Sequence, residues 1–402
     1  MQHHDQRSYG AAVDASGKKF KAMLEAQIQA SQDSAMGVIE KIQNEVPVDR
    51  IVHTRALTFA LEEQEPQNDV EIIAPPNILI GTKDRRAKGH FMEPMHKHAL
   101  TQVAERAGIP GTYLNRLLTR PYGPQLVIEN LTTIFQKEEP SKYLVRSVGD
   151  EVRGVLSDSF RRMDSRPIIE MFASECQAVG AVPIEGVGGD LRWSLRAILP
   201  MVFQPSKKTG LEEYIAFGLA LTNSDFGVGA LSLRLFMLRV WCTNMALLEE
   251  ALRQVHLGKR LADNIEFSQQ TYELDTATQV SAVKDLIRGS LSPEKINESV
   301  ALIGKALEER INPKKAWEEL PKQGLLKGEV AKVKEIFNDG GVEMLPPGTT
   351  VARLSNAISW FARQPEQTPE RRIELEAVAG QLLMQKRKEK GKAVDADPVD
   401  LN

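Results

Sequence analysis

The sequence has very little cysteine: only Cys176 and Cys242 occur among its 402 residues. Two such distant cysteines provide neither a disulfide framework nor a CxxC metal site, and they are typical of a reducing compartment. No apolar run approaches the roughly 18 residues that a membrane helix needs, and the first residues lack the apolar core of a secretory signal. The sequence therefore predicts a soluble cytoplasmic protein without membrane contact.

A strong charge imbalance is also lacking, because 51 Lys and Arg stand against 54 Asp and Glu. A nearly neutral chain does not coat nucleic acid with its whole surface, so a nucleic-acid site would have to be a local basic groove. There is no phosphate loop, HExxH motif, nucleophile elbow or spaced set of carboxylates. No cofactor is predicted, and binding is favoured over catalysis.

The hydrophobic pattern predicts an α+β fold, with a central antiparallel β-sheet containing hairpins between N-terminal and C-terminal helical regions. The N-terminal helix is interpreted as packed on its own domain or as an arm exchanged between subunits. The predicted regions are a helical arm (1–45), a small β region with a helical hairpin (46–140), the central sheet with a helix (141–262), a helical domain (263–385) and a charged disordered tail (386–402).

Turn residues locate the hairpins of the central sheet. Runs at 142–148 and 151–157 flank a Gly-Asp turn, and runs at 214–221 and 231–240 flank a turn rich in Asn, Asp and Gly. Thr243 or Asn244 is then predicted to cap a helix that starts at residue 245 and ends near Gly258. Short β-type runs before residue 81 are predicted at 50–52, 57–61, 70–74 and 78–80.

The strand at 191–199 alternates between two kinds of side chain. Leucine and tryptophan face one side, while Arg192, Ser194 and Arg196 face the other, which is typical of a half-buried strand with a cationic outer face. A cationic sheet face can follow the phosphates of single-stranded DNA, with Tyr143, Phe160 or Trp193 as stacking surfaces. The predicted nucleic-acid-binding residues are Arg153, Arg161, Arg162, Arg166, Arg192, Arg196, Lys207, Lys208, Arg234, Arg239 and Arg260.

An ordinary explanation of these arginines stays open, in which they pair with acidic neighbours on a solvated face. The partners would be Asp150, Asp158, Asp164 and Glu170. Residues 96–120 offer a different nucleic-acid site, because they have the pattern of a helix-turn-helix whose second helix presents Thr112, Tyr113, Asn115 and Arg116. Two short helices that cover a sheet would have the same pattern. His90, His96 and His98 match no metal-ligand spacing and are interpreted as surface residues.

Four segments together resemble an uncharacterised phage and plasmid family, catalogued as domain of unknown function 932. They begin VRGVLSDSF, LALTNSDFG, ALTQVAERAG and TTVARLSNA, and the resemblance covers roughly residues 90–380. Its most specific parts are Ser157-Asp158, Asn223-Ser224 and the run from Arg239 to Asn244. Family members commonly place glycine after that asparagine, where this chain has Met245. The resemblance implies a phage or plasmid origin and a bacterial cytoplasm, but no reaction.

Single-stranded DNA binding or annealing in recombination or replication is therefore the first functional hypothesis, with a homo-oligomer and a tail that contacts a replication protein as expected partners. A metal-dependent enzyme acting on nucleic acid or nucleotides is the second, with Asp158 and Asp225 as magnesium ligands. Its other polar residues would be Ser157, Asp164, Asn223, Asn244 and His256. A helix-turn-helix regulator of duplex DNA and an assembly protein without a nucleic-acid role are the remaining alternatives.

Overall fold

The computed structural model describes residues 15–63, 76–83, 90–206, 213–240, 244–254, 256, 268–339 and 345–385. Its helices are α1 (Ala15–Asn44), α2 (Lys97–Arg106), α3 (Gly111–Leu118), α4 (Gly123–Lys137), α5 (Ser165–Ala178), α6 (Gln269–Ser290), α7 (Pro293–Glu308), α8 (Pro313–Glu319), α9 (Lys327–Asn338), α10 (Val351–Ala362) and α11 (Pro369–Met384). Its strands are β1 (Val48–His53), β2 (Leu57–Leu61), β3 (Ile78–Thr82), β4 (Met92–Pro94), β5 (Lys142–Val148), β6 (Glu151–Ser157), β7 (Val182–Gly188), β8 (Trp193–Ile198), β9 (Ile215–Asn223), β10 (Leu231–Arg239) and β11 (Met245–Gln254).

The largest sheet is an antiparallel meander in the order β7-β8-β9-β10-β11, with helical regions before and after it in the chain. This arrangement confirms the predicted α+β fold. One face of the sheet, which includes Leu219 and Leu235, shares a core with α5 and with the C-terminal helices. The other face, which includes Ala220 and Phe236, packs against α1 and α11. The main core is therefore continuous from the central sheet into the C-terminal helices.

Two glycines allow helices to lie directly on the sheet. A Cβ atom on Gly186 of β7 would be 2.2 Å from the backbone oxygen of Ser34 in α1. A Cβ atom on Gly380 of α11 would be 1.8 Å from the backbone oxygen of Leu247 in β11. Such distances leave no room for a side chain, so both helices approach the strands backbone to backbone. The N-terminal helix is thus packed on its own chain, as one of its two interpretations predicted.

Two smaller antiparallel sheets precede the main one, in the orders β1-β5-β6 and β2-β3-β4. They share a second core with α2, α3 and α4. The predicted hairpin between residues 148 and 151 is confirmed, with Gly149 at φ +58°. The helix pair predicted at 96–120 is also present, and Gly108 between its helices has φ +67°. The run predicted at 70–74 and the tail 386–402 lie outside the described residues.

The prediction of a helix beginning at residue 245 is wrong, because Met245–Gln254 forms strand β11. The sequence MALLEEALRQ is rich in helix-forming residues, but the strand pairs with β10 through a register that is interrupted twice. Four consecutive residues, 245–248, are buried, since both faces of the sheet are covered there. Pairing and burial on both sides therefore override the local helix preference. The predicted helical C-terminal region is confirmed, since α6 to α11 all lie in it.

Candidate functional site

Arg196 is fully buried within an ion cluster, so it does not belong to a solvent-facing cationic groove. Its guanidinium donates hydrogen bonds to Glu185, at 2.9 Å, and to Glu376 of α11. Arg363 and Arg372 contact the same two carboxylates. Burial alone would raise the pKa of Glu185, but the three guanidinium groups lower it to about 2. The prediction of a cationic outer face on β8 is therefore wrong, because α11 covers that face and supplies the counter-charge.

Most of the other predicted arginines are also held by carboxylates. Arg239 is buried and donates two hydrogen bonds to Glu213. The remaining pairs are Arg153–Glu45, Arg161–Asp275, Arg162–Asp49 and Arg166–Glu170. Only the last of these was among the partners expected from the sequence. Because these cations already have counter-charges, the described residues of the predicted set do not form a continuous cationic groove.

Three predicted residues lie outside the described part of the chain: Lys207, Lys208 and Arg260. Arg234 is half-buried, and its Nε donates to the Ser232 hydroxyl at 3.3 Å. Arg192 differs from the rest, because its guanidinium makes neither a hydrogen bond nor an ion pair with any described residue. Burial lowers the pKa of Arg192, and the nearby Arg234 lowers it further. Arg192 therefore remains available for a ligand.

Asp225 belongs to a second buried polar cluster, around Arg146. The Arg146 guanidinium donates to Asp49 at 2.7 Å, to the backbone oxygen of Asp225 at 3.0 Å, and to Asp164. The Asp225 carboxylate accepts hydrogen bonds from the backbone N–H and the hydroxyl of Ser165. Burial raises the pKa of Asp225 to about 6, with Arg146 opposing that increase. This cluster fixes the turn between β9 and β10 against the start of α5.

The Ser165 hydroxyl uses its one hydrogen-bond donor and both of its acceptor positions within the fold. Its hydroxyl donates to Asp225 and accepts from Trp193 Nε1 at 2.8 Å and from Asn223 Nδ2 at 3.1 Å. Trp193 is likewise a buried structural residue rather than the exposed stacking surface that was considered. Neither Asp158 nor Asp225 belongs to a group of three or more His, Cys, Asp or Glu side chains suited to a metal ion, since the described residues contain no such group.

His256 completes the polar cluster from the far end of β11. Its ring stacks on Phe160 at 4.9 Å, and its two nitrogens lie 3.0 Å from the Arg161 backbone oxygen and from Asn223 Oδ1. Burial lowers the pKa of His256 to about 4, so the ring is neutral near pH 7 and carries one N–H. Although two acceptors favour the charged ring, burial has the larger effect. Of the polar residues in the enzyme hypothesis, Asp164, Asn223, Asp225 and His256 thus lie in one structural hydrogen-bond network.

The helix pair α2–α3 presents one inner and one outer helix. In α2, Gln102 and His98 both donate to the Phe226 backbone oxygen at 3.0 Å, and Gln102 Oε1 accepts from the Val155 N–H. Burial of Leu114 and Leu117 turns the opposite side of α3 outward. The hydrogen bonds therefore fix α2 to the sheet, while α3 is displayed at the surface.

The outward side of α3 and the turn after it form an exposed surface with arginine and tyrosine, here called the α3 surface. Its members are Thr112, Tyr113, Asn115, Arg116, Arg120 and Tyr122, all exposed. The two tyrosines are 45% and 63% exposed, which is unusual for aromatic side chains. Neither Arg116 nor Arg120 has an ion pair with a described residue.

Arg120 and Tyr122 were missed by the sequence reasoning, although a signal was present. Residues 106–128 contain three arginines and no acidic residue, in a chain with 54 acidic residues. One of the three, Arg106, turns inward onto the ring of Tyr143 at 5.3 Å. The two exposed arginines are left without acidic neighbours in sequence, so the α3 surface is locally cationic on a protein with net charge -3.

Comparison of the chain with family models, with curated proteins and with solved structures gave no match. The helices in the described ranges are all too short or too polar to cross a membrane.

Proposed function

We propose that this protein binds nucleic acid through the α3 surface and prefers single-stranded DNA. The observation that carries the proposal is the combination, on one acid-free segment, of two exposed tyrosines and two arginines that form no ion pair with a described residue. Arginine attracts phosphate groups, and a tyrosine ring can stack on an unpaired base at about 1–3 kcal/mol per base. The surface differs from the sheet face that the sequence indicated, but the ligand class is the same.

Single strands are favoured over duplex because the exposed aromatics need bases that are free to stack. A phage or plasmid protein acting in a bacterial cytoplasm, as the sequence resemblance implies, would use such binding in recombination or replication. Annealing of complementary strands is the activity that we expect from this role. A homo-oligomer would place several α3 surfaces along one strand.

Reading of duplex DNA is the second candidate function, supported by the helix-turn-helix arrangement of α2 and α3. The outer helix exposes Thr112, Asn115 and Arg116, which are side chains that can contact base edges. Insertion into a major groove would require a dimer with two α3 helices about one helical turn of DNA apart. Duplex preference and a dimeric state would therefore favour this function.

The test is fluorescence anisotropy with labelled single-stranded and duplex oligonucleotides at several salt concentrations. Reversal of both charges, in Arg116→Glu/Arg120→Glu, should weaken single-strand binding at least tenfold and reduce the salt slope by roughly 1.4. Lys314→Glu/Lys315→Glu is the matched control, because these exposed lysines lie on α8 and give the same change in net charge. The control should bind like the unmodified protein.

A second variant separates stacking from charge. Tyr113→Ala/Tyr122→Ala removes both exposed rings and should weaken single-strand binding while leaving the salt slope unchanged. Equal losses for the charge-reversed protein and its lysine control would reject the α3 surface. Stronger binding of duplex than of single strands, unaffected by loss of the tyrosines, would instead establish the regulator function.

A further inference from the structure

A cleft of about 230 Å³ lies between the second half of α1, the β7–β8 turn and the β9–β10 turn. Its walls include Trp193 and Phe226 together with aliphatic residues of α1. It shares no residue with the α3 surface, so the two regions can be tested separately. The charged groups lining it are of two kinds: some form ion pairs at the rim, and two form no ion pair with a described residue.

The neutralised groups form ion pairs at the rim of the cleft. Lys41 contacts Asp190 at 2.7 Å, and Glu45 contacts Arg153 at 2.7 Å. These pairs leave no net charge for a ligand. The two remaining charged groups are Arg192 and Asp225, which do not pair with each other.

Arg192 contributes a positive group without a partner. The solvent-inaccessible Nε of its guanidinium makes no hydrogen bond with described residues. The carboxylates of Glu370 and Glu374 in α11 raise the pKa of Arg192 from a distance, but neither lies within ion-pair distance of its guanidinium. A half-buried guanidinium without a counter-charge is costly, and an anionic ligand would supply one.

Asp225 contributes an acceptor. Its Oδ1 receives both Ser165 hydrogen bonds, whereas Oδ2 has no hydrogen-bond partner among the described residues. Asp225 retains 9% exposure, and it lines the cleft. A ligand N–H would satisfy this oxygen.

We propose that this cleft binds a nucleoside monophosphate, with the phosphate on Arg192, a base N–H on Asp225 and the base beside Trp193 and Phe226. The lining suits a ligand with an anionic group for Arg192, a hydrogen-bond donor for Asp225 and a flat apolar ring for Trp193 and Phe226. A nucleotide combines these three properties. The cleft has room for a single small ligand. This site is separate from the proposed DNA surface and does not depend on it.

Isothermal titration calorimetry of the full chain with guanosine monophosphate tests the assignment, because guanine presents adjacent N–H donors. Guanosine monophosphate should bind in a 1:1 ratio, and more tightly than guanosine or inorganic phosphate alone. Arg192→Gln should weaken the binding by roughly tenfold to a hundredfold. Asp225→Asn should weaken it as well, while Arg166→Gln, an exposed arginine outside the cleft, should leave it unchanged.

The outcomes are decisive even if Asp225→Asn does not fold, since Arg192 makes no bond whose loss would unfold the protein. No heat with guanosine monophosphate, or equal affinity in Arg192→Gln, would overturn the proposal. Phosphate binding as tightly as the nucleotide would show an oxyanion site only and would also overturn the nucleotide assignment. Guanosine monophosphate binding retained in Arg116→Glu/Arg120→Glu would confirm that this cleft and the α3 surface are independent.

Discussion

At the scale of single residues, ionisable side chains close together in the sequence differ in whether a counter-charge lies beside them. Arg196 is neutralised by two buried glutamates, whereas Arg192, four residues earlier in the chain, has no counter-charge among the described residues. Both were predicted for one cationic face because they have the same alternation in the strand. Alternation identifies which side chains share a face, but it contains no information about what covers that face. The difference between the two arginines is made by α11, which lies about 180 residues away in the chain.

Asp225 makes the folding stability depend on pH. Its pKa of about 6 in the folded protein exceeds the value of about 3.9 for an unfolded chain, so folding favours the protonated form. The stabilisation is complete below about pH 4 and is lost as the pH rises through 6, by about 3 kcal/mol. Asp225→Asn should remove this dependence. Urea unfolding between pH 4.5 and 7.5 measures the free energy of unfolding of both proteins. As the pH rises, the wild type should lose stability relative to Asp225→Asn.

His256 does not obscure that measurement. Its lowered pKa of about 4 means that stability is present above the unfolded value of about 6.5 and is lost as the pH falls towards 4. Because His256 is the same in both proteins, its contribution cancels in the difference. A stability difference that stays constant from pH 4.5 to 7.5 would show that Asp225 is already ionised at the low end.

At the scale of elements, local patterns predicted the structure well where an element depends on its own sequence. The β5–β6 hairpin needs only two alternating runs and a Gly-Asp turn, and the C-terminal helices are marked by serine, threonine and proline at their starts. Strand β11 could not be predicted in this way, because its local preference is helical and its structure comes from β10. The close approach of α11 also depends on a distant partner.

Gly380→Ala tests how strongly the fold depends on the close contact between α11 and the backbone of β11. In a helix, alanine normally stabilises relative to glycine by up to about 1 kcal/mol. Here the added methyl group would overlap the Leu247 backbone oxygen, so we expect a loss of about 1–3 kcal/mol or more. Gly37→Ala in α1 is the control, because nothing lies within 4 Å of its Cβ position. Thermal unfolding should show opposite shifts, and a stabilised Gly380→Ala protein would contradict the backbone contact.

At the scale of the whole molecule, the ion cluster around Arg196 joins parts of the chain that no local pattern connects. It links β7 and β8 to α11 and to the end of α10 through Glu185, Glu376 and Arg363. Helices pack on both faces of the five-stranded sheet. The surface that we propose for nucleic acid lies instead on α3, which packs with α4 and belongs to the second core. The sequence supports a nucleic-acid ligand only as a hypothesis, and the packing of distant helices determines which cations remain free among the described residues.

Removal of one partner from this cluster should therefore destabilise the fold. Glu376→Gln leaves the buried Arg196 and the partly buried Arg363 and Arg372 with a single carboxylate, and we expect a loss of about 3–5 kcal/mol in the free energy of unfolding. Arg196→Met/Glu376→Leu replaces the central pair by apolar side chains and should lose less than the sum of the two single variants. Urea unfolding of the wild type, Arg196→Met, Glu376→Leu and the double variant gives the coupling energy, and strictly additive losses would contradict the cluster.

The same double variant separates the buried arginine from nucleic-acid binding. If Arg196 acts only inside the fold, the folded double variant should bind single-stranded DNA with unchanged affinity and salt slope. The α3 surface is intact in that protein, because it belongs to a different core. A smaller salt slope for the double variant would instead mean that phosphate reaches Arg196, which would require α11 to leave the sheet. Unchanged binding beside a measurable loss of stability is therefore the result that this structure predicts.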